Sequence, residues 1–275
     1  MRWLLRAATV LAIVAGGGWL IVTHHDKLSG FASLERARPG PSAETSETPS
    51  LTGSDDTADT IDRTYQSAAL WRVIKQEFPE WYGQRLKEVE KLRSEQRDDA
   101  TIAKYLLEAV AALRRKHADQ ALAASPDTLR MVAGAFLENL KHLSKHGVEA
   151  CYGFISQGDM SAAVLPLMSK AEHSEQLQRQ ATAIFEAIAE GRKSPQTRLP
   201  PRKDDYELLA RMLTSERGWS QTEWQLFNDP RALGGAKPEQ VCKMVQDWFQ
   251  ALLAITESDI QVRLLFQSLR PIMAG

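Results

Sequence analysis

The sequence lacks an excess of charge of either sign. It has 34 Lys and Arg residues against 35 Asp and Glu residues, which gives a formal net charge of −1. Proteins that bind nucleic acid through general electrostatic attraction concentrate basic residues on one surface. The composition therefore argues against a nucleic-acid partner.

Signatures of catalysis are missing as well. The chain has no glycine-rich phosphate loop, no nucleophile elbow and no kinase motif. Its two cysteines, Cys151 and Cys242, are too far apart for the Cys-x-x-Cys spacing of redox enzymes. We therefore predict no catalytic residues, no cofactor and no metal ligands, and the sequence leans against an enzyme.

Strand-like alternation of apolar and polar residues is scarce after about residue 60, whereas apolar spacings of three to four residues and helix caps recur. The pattern predicts an all-α fold, a bundle-like helical domain over 59–275. Two lobes, 59–191 and 204–275, stay open as a subdivision of it.

Several helix boundaries are marked by local signals. One helix is predicted over Ile61–Glu77. Ser125 followed by Pro126 is a cap with proline at the first helical position, which predicts that a helix begins there. Gly191 is predicted to end a helix that covers 169–190.

Capping boxes are predicted near the C-terminus. Ser220 with Glu223, and Ser258 with Gln261, both have the spacing at which two residues cap the same helix start. The last helix is predicted to end near Pro271, since proline disrupts a helix interior.

One long apolar run is present, from Ala7 to Val22, and it is preceded by Arg2 and Arg6. With its neighbours it approaches the about 20 residues that span a membrane. We predict a short cytoplasmic tail (1–6), a transmembrane signal anchor (7–23) and a disordered acidic Ser/Thr/Pro linker (24–58). A cleaved signal peptide is the alternative, although the small-residue cleavage site is missing. The bulk of the chain would then lie outside the cytoplasm, in the periplasm if the source is bacterial.

This location bears on the two cysteines. In an oxidising compartment, Cys151 and Cys242 are candidates for a structural disulfide. The alternative is two separate buried thiols that pack as small apolar side chains.

Histidines provide the one spacing that suggests a metal. His142 and His146 are four residues apart, and Glu138 lies four residues before His142. The metalloprotease pattern needs a Glu directly after the first histidine, which is absent. Because the three residues lie opposite the apolar stripe of their helix, we predict a solvated face, with a metal site as the alternative. His117 is predicted to cap or pack, and His173 has no partner that the sequence can identify.

The pair Glu257-Ser258 resembles the catalytic Glu-Ser of lytic transglycosylases, which are helical and often anchored outside the cytoplasm. The resemblance implies a general acid at Glu257. The other motifs of that family are not found, and a helix cap accounts for both residues.

Two further features favour a structural role. The segment 192–203 carries five basic residues and three prolines, and is predicted to be a solvated connection, with anionic lipid, an acidic partner or the acidic linker as alternatives. The C-terminal part is rich in aromatic residues, which are predicted to form core, with a partner-binding groove as the alternative. They are Trp219, Trp224, Phe227, Trp248, Phe249 and Phe266.

The sequence thus predicts a membrane-anchored, non-enzymatic module of the cell envelope that binds, scaffolds or assists another envelope protein. The alternatives are an envelope enzyme such as a cell-wall hydrolase, for which a cleft at Glu257 or Glu223 is the criterion, and a ligand-sensing domain with an enclosed apolar pocket.

Overall fold

A computed structural model describes residues 54–168 and 170–275. All secondary-structure elements in this part of the chain are α-helices or a 3-10 turn, and it contains no strand, so the all-α prediction is confirmed there. The helices are α1 (Ser54–Gln66), α2 (Ala69–Glu77), α3 (Pro79–Ser94), α4 (Asp99–Lys116), α5 (Ala118–Leu122), α6 (Pro126–Ser144), α7 (Val148–Gln157), α8 (Leu165–Met168), α9 (Ala171–Lys193), α10 (Lys203–Arg217), α11 (Gln221–Asn228), α12 (Pro230–Gly234), α13 (Pro238–Ala254) and α14 (Ser258–Ala274). A 3-10 turn, Gly158–Met160, follows α7.

The predicted cytoplasmic tail, anchor and most of the predicted linker lie outside the described residues. Helix α1 begins at Ser54, inside the segment predicted as linker up to residue 58. Within the described ranges no helix is long and apolar enough to cross a membrane.

Helix α6 is the central element. It begins as predicted, because the Ser125 side chain accepts a hydrogen bond from the backbone N–H of Thr128 and Pro126 occupies the first turn. Helices α7, α9, α13 and α14 all pack against it. Its buried side chains, such as Leu129, Leu140 and Leu143, are completely enclosed.

One large buried cluster contains residues from both sides of the segment 192–203. Phe185 and Ile188 precede the segment and Phe249 and Leu264 follow it. A smaller cluster joins α1, α3 and α4 around Val89. The helices on either side of the basic segment therefore share one core.

The C-terminal aromatic residues mostly lie in that core, as predicted. Trp219, Phe227, Trp248 and Phe249 are buried. The rings of Phe227 and Trp248 stack with centroids 4.9 Å apart. The indole N–H groups are paired: Trp219 donates to Asp247 at 3.0 Å, and that of Trp248 donates to a serine hydroxyl. Burying these polar groups therefore leaves neither indole nitrogen unpaired.

The prediction of one helix over Ile61–Glu77 is wrong, because the helix is interrupted at Ser67 and Ala68, between α1 and α2. The guanidinium of Arg72 donates to the backbone carbonyls of Gln66 and Ser67, at 3.0 and 2.8 Å. These bonds satisfy carbonyls that the end of α1 leaves unpaired.

Two predicted endings also differ. Helix α9 continues through Gly191 to Lys193, and α14 continues through Pro271 to Ala274. Gly191 serves close packing instead: a Cβ there would clash with the backbone carbonyl of Gln120. Its lack of a side chain lets α9 approach α5.

The basic segment 192–203 is bound to the helical body. Arg198 donates through its guanidinium to the carbonyl of Leu122 at 2.6 Å and to that of Ala124. The ammonium of Lys193 pairs with Glu77 at 2.6 Å. Most of the segment is exposed, as predicted for a solvated connection, but these cations fasten it to the helices. We call 192–203 the strap.

Cys151 on α7 and Cys242 on α13 form a disulfide-bonded pair, with Cα atoms 6.1 Å apart. Both residues are buried. Their Cα separation lies within the range that a disulfide spans.

Candidate functional site

The site lies where the last turn of α6 meets the first turn of α9. Buried Asn139 on α6 holds the two helices together. Its amide nitrogen donates to the carbonyl of Leu177 at 3.3 Å and to Gln180 at 3.1 Å, while its amide oxygen accepts from Gln176 at 3.2 Å. This network fixes the register of α9 on α6, and hence the place of His173 beside His142.

Three histidines meet at this contact. The ring centroids are 4.8 Å apart for His142 and His146, 5.1 Å for His142 and His173, and 4.3 Å for His146 and His173. One ligand nitrogen from each ring lies within 4.8 Å of the others. His142 belongs to α6, His173 belongs to α9, and His146 is in the turn after α6, where its backbone N–H donates to Leu143 at 2.9 Å.

The three rings differ in exposure. His173 is 9% exposed, His142 is half-buried and His146 is exposed. Nε2 of His142 and Nδ1 of His173 are both buried and have no hydrogen-bond partner. A buried polar atom without a partner costs about 1–3 kcal/mol, so two in one cluster require an explanation.

Charged groups surround the rings unevenly. Oε1 of Glu172 lies 3.1 Å from Nε2 of His173. Partial burial lowers the pKa of His142, and His146, His173 and Lys145 lower it further by repelling its charged form. The neutral imidazole, which has a free lone pair for a ligand, is therefore favoured at His142.

A cleft of about 520 Å³ opens beside His142. Its lining is polar: Glu138, Lys141, His142, Lys145, Gln176 and Gln246. Gln246 on α13 donates to the hydroxyl of Ser144 at 2.8 Å and contacts Sγ of Cys151 at 3.8 Å. The disulfide therefore lies directly behind one wall of the cleft.

No family model, curated protein or solved structure matches this chain. Three imidazoles suit a borderline transition metal, and the lysines and glutamines of the cleft suit polar groups of a partner.

The sequence prediction of a solvated His142–His146 face holds only in part. Glu138 is exposed, where it pairs with Lys141 at 2.9 Å, and His146 is exposed. His142 is half-buried because α9 covers that side of α6. The sequence analysis leaves His173 without a partner, since no local spacing connects it with the other two histidines.

The residues considered for catalysis lie elsewhere. Glu257 is exposed at the surface and accepts a hydrogen bond from Thr256. Glu223 forms the predicted capping box, accepting 2.7 Å and 2.8 Å bonds from the backbone N–H and the hydroxyl of Ser220. Neither carboxylate lines the cleft.

The predicted capping box at Ser258 is wrong. The Gln261 amide nitrogen reaches back to the carbonyls of Leu252, Leu253 and Ile255, at 3.0, 3.2 and 2.9 Å. It therefore caps the end of α13 and not the start of α14. His117 behaves as expected for a capping or packing residue, with Nδ1 2.6 Å from Gln120 and its ring against Phe78.

Proposed function

We propose that this chain is a non-catalytic helical module of the cell envelope, tethered to the membrane by residues 7–23, which binds an envelope protein through the cleft beside His142. The bundle-like domain would project from the membrane on the linker that follows the anchor. Residues that line the cleft would make the contact.

The observation that carries this proposal is the polar lining of the cleft. Lys141 and Lys145 are cationic, and Gln176 and Gln246 offer both amide donors and amide acceptors. The aromatic residues that would have anchored an apolar partner are largely in the core. A partner with acidic and hydrogen-bonding side chains therefore suits the cleft better than an apolar helix does.

The disulfide supports a binding role by limiting movement. It links α7 to α13, the helix that carries the cleft residue Gln246, and Sγ of Cys151 lies 3.8 Å from the Gln246 amide nitrogen. A binding surface that is already ordered loses less conformational entropy when its partner arrives.

The alternatives have less support. The enzyme hypothesis needs Glu257 or Glu223 in a cleft, whereas Glu257 is exposed and Glu223 caps a helix. Glu138 does line the cleft, but its carboxylate is exposed and paired with Lys141. The small-ligand hypothesis needs an enclosed apolar pocket, whereas the cleft beside His142 is open and polar.

Site-specific photocrosslinking in native membranes tests the proposal. A photoreactive amino acid replaces Lys145 or Gln246 in the full-length chain, and Lys87 on α3 provides a control because it is exposed and does not line the cleft. We expect one adduct of defined mass from both cleft positions and none from Lys87. Equal labelling at all three positions, or no adduct at the cleft, would reject it.

The tether is tested separately by extracting the same membranes with alkaline carbonate. An anchored chain stays with the membrane pellet, because its apolar span is buried in hydrocarbon. Release of the full-length chain into the supernatant would contradict the anchor and leave the crosslinking result to be judged on its own.

A further inference from the structure

We propose that His142, His146 and His173 form a binding site for one divalent transition-metal ion of the class that prefers imidazole nitrogen, with Zn²⁺ as the first candidate. This inference goes beyond the proposed function and does not depend on it, since the metal is measured on the isolated chain.

The number and type of ligands fit this class of ion. Imidazole suits Zn²⁺, Cu²⁺ and Ni²⁺, whereas Ca²⁺ and Mg²⁺ prefer oxygen ligands. Three histidine ligands leave one position of a tetrahedral zinc site for water or another group. The exposed side of the cluster, at His146, leaves room for that fourth ligand.

The unpartnered nitrogens point to a ligand more directly. Nδ1 of His173 and Nε2 of His142 are buried and have no hydrogen-bond partner. A solvent-exposed histidine nitrogen would form hydrogen bonds with water. His173 is 9% exposed, so solvent access to it is limited. A metal ion bound to both atoms would remove both unsatisfied lone pairs in one step.

Glu172 occupies the position of an outer partner. Its carboxylate lies 3.1 Å from Nε2 of His173, which favours the tautomer with the proton on that nitrogen. The lone pair of His173 is then on Nδ1, the atom without a partner. Metal-ligating histidines usually donate their second ring N–H to a carboxylate in this way, which fixes the ring and strengthens the ligand.

The cluster must contract to bind the ion. In a tetrahedral site with Zn–N bonds of about 2.1 Å, ligand nitrogens lie about 3.4 Å apart, whereas here they lie within 4.8 Å of one another. His146 supplies the adjustment, because its ring is exposed and lies in a turn. The helices that carry the two more buried rings are joined by the Asn139 network, so these rings need to move least.

Nearby charge sets the strength of binding. Lys141 and Lys145 lie on the cleft side and repel a cation, while Glu138 and Glu172 attract it. Glu138 is already paired with Lys141. We therefore expect a site that exchanges its ion, weaker than the closed four-cysteine sites of structural zinc domains.

The test is metal binding by the full-length chain, purified in detergent without a polyhistidine tag. Zn²⁺ is titrated against a chromogenic chelator, and the bound ion is counted by mass spectrometry after equilibrium dialysis. We expect one Zn²⁺ per chain, and no binding of Ca²⁺ or Mg²⁺ at the same concentrations. Substitution with Co²⁺ should give the visible absorption of a nitrogen-rich tetrahedral site.

Variants assign the site. His146→Ala changes an exposed residue and should leave the circular dichroism spectrum and Tm unchanged while weakening Zn²⁺ binding by at least about 100-fold, more than the loss of an outer partner costs. Glu172→Gln should weaken it by about 10- to 100-fold. His173→Gln should abolish Zn²⁺ binding. If this variant does not fold, the result for His146→Ala decides whether the cluster binds the ion.

Matched controls use the other histidines. His117→Ala removes a histidine that contacts Phe78 and Gln120 and does not belong to the three-histidine cluster, so this variant should retain binding. The double change His24→Ala with His25→Ala removes the adjacent pair near the N-terminus and should retain it too. Binding that survives His146→Ala, that depends on His24 and His25, or that never reaches one ion per chain would overturn the proposal.

Discussion

Asp205 accepts two hydrogen bonds of 2.7 Å from the guanidinium of Arg263, and this pair joins α10 to α14. The side chains are 3% and 14% exposed. Asp205 also accepts from the backbone N–H of Arg202 at 2.8 Å. The Arg263 bonds, followed by the Arg202 N–H and the attraction of both cations, hold the pKa of Asp205 below its ordinary value of 3.8 despite its burial.

This pKa shift predicts acid sensitivity. Because the folded pKa lies below the unfolded one, the pair contributes fully at pH values above about 5. That contribution falls as the pH drops through 3.8 towards the folded pKa. Urea unfolding at pH values between 7 and 3 should show this loss in the native chain.

Asp205→Asn should remove that dependence. It leaves Arg263 mostly buried and unpaired, so we expect a loss of about 3 kcal/mol in the free energy of unfolding at pH 7, with a flatter profile towards acid. Asp204→Asn, at the exposed neighbouring position, should change stability by less than about 0.5 kcal/mol. Equal effects from the two changes would contradict the role of the pair.

Gly191→Ala should destabilise the fold, although alanine is normally the better helix former. The added Cβ would clash with the carbonyl of Gln120, so α9 would have to move away from α5. Overpacking of this kind costs about 1–3 kcal/mol. Gly134→Ala in α6 is the matched control, since a Cβ there meets nothing within 4 Å. It should be neutral or stabilising by up to about 1 kcal/mol in the same denaturation measurement.

Reduction of the Cys151–Cys242 disulfide should lower stability markedly. The two residues are 91 apart, and closing a loop of that length is worth about 4–5 kcal/mol in the chain-entropy estimate, as an upper value. We expect a lower Tm in dithiothreitol for the native chain and no such shift for Cys151→Ala with Cys242→Ala. Alkylation of both thiols in the native, unreduced chain would contradict the bond.

Gln261→Leu and Ser258→Ala distinguish the observed cap from the predicted one. Gln261 serves three carbonyls at the end of α13 and also accepts from Arg130 at 2.7 Å, so leucine there should cost about 1–3 kcal/mol. Ser258 makes no side-chain capping bond at α14, whose start is formed by Glu257. Its replacement should cost less than about 0.5 kcal/mol. A larger loss for Ser258→Ala than for Gln261→Leu would instead support the capping box predicted at Ser258.

Features set within a few residues could be predicted from the sequence. The caps at Ser125 and Ser220 are of this kind, because donor and acceptor are three residues apart and need no other part of the fold. The helical class followed from the same short-range periodicity.

Features that depend on how helices pack could not be predicted. His173 is 27 residues from His146 in the sequence, and the packing of α9 on α6, which includes the Asn139 network, brings it to the other two histidines. Gly191 has the local pattern of a helix stop, because the neighbouring sequence does not show how closely it approaches Gln120. Even the disulfide was proposed from the compartment that the apolar run implied, and not from any local pattern.

The disulfide also closes a covalent ring that contains the whole strap 192–203. A protease that cuts the strap at one of its basic residues, Arg198 for example, would break the main chain but not release a fragment, because Cys151 and Cys242 lie on opposite sides of the cut. The nicked protein would migrate as one species on a non-reducing gel and as two after reduction. The module would thus survive a single cleavage there as one molecule.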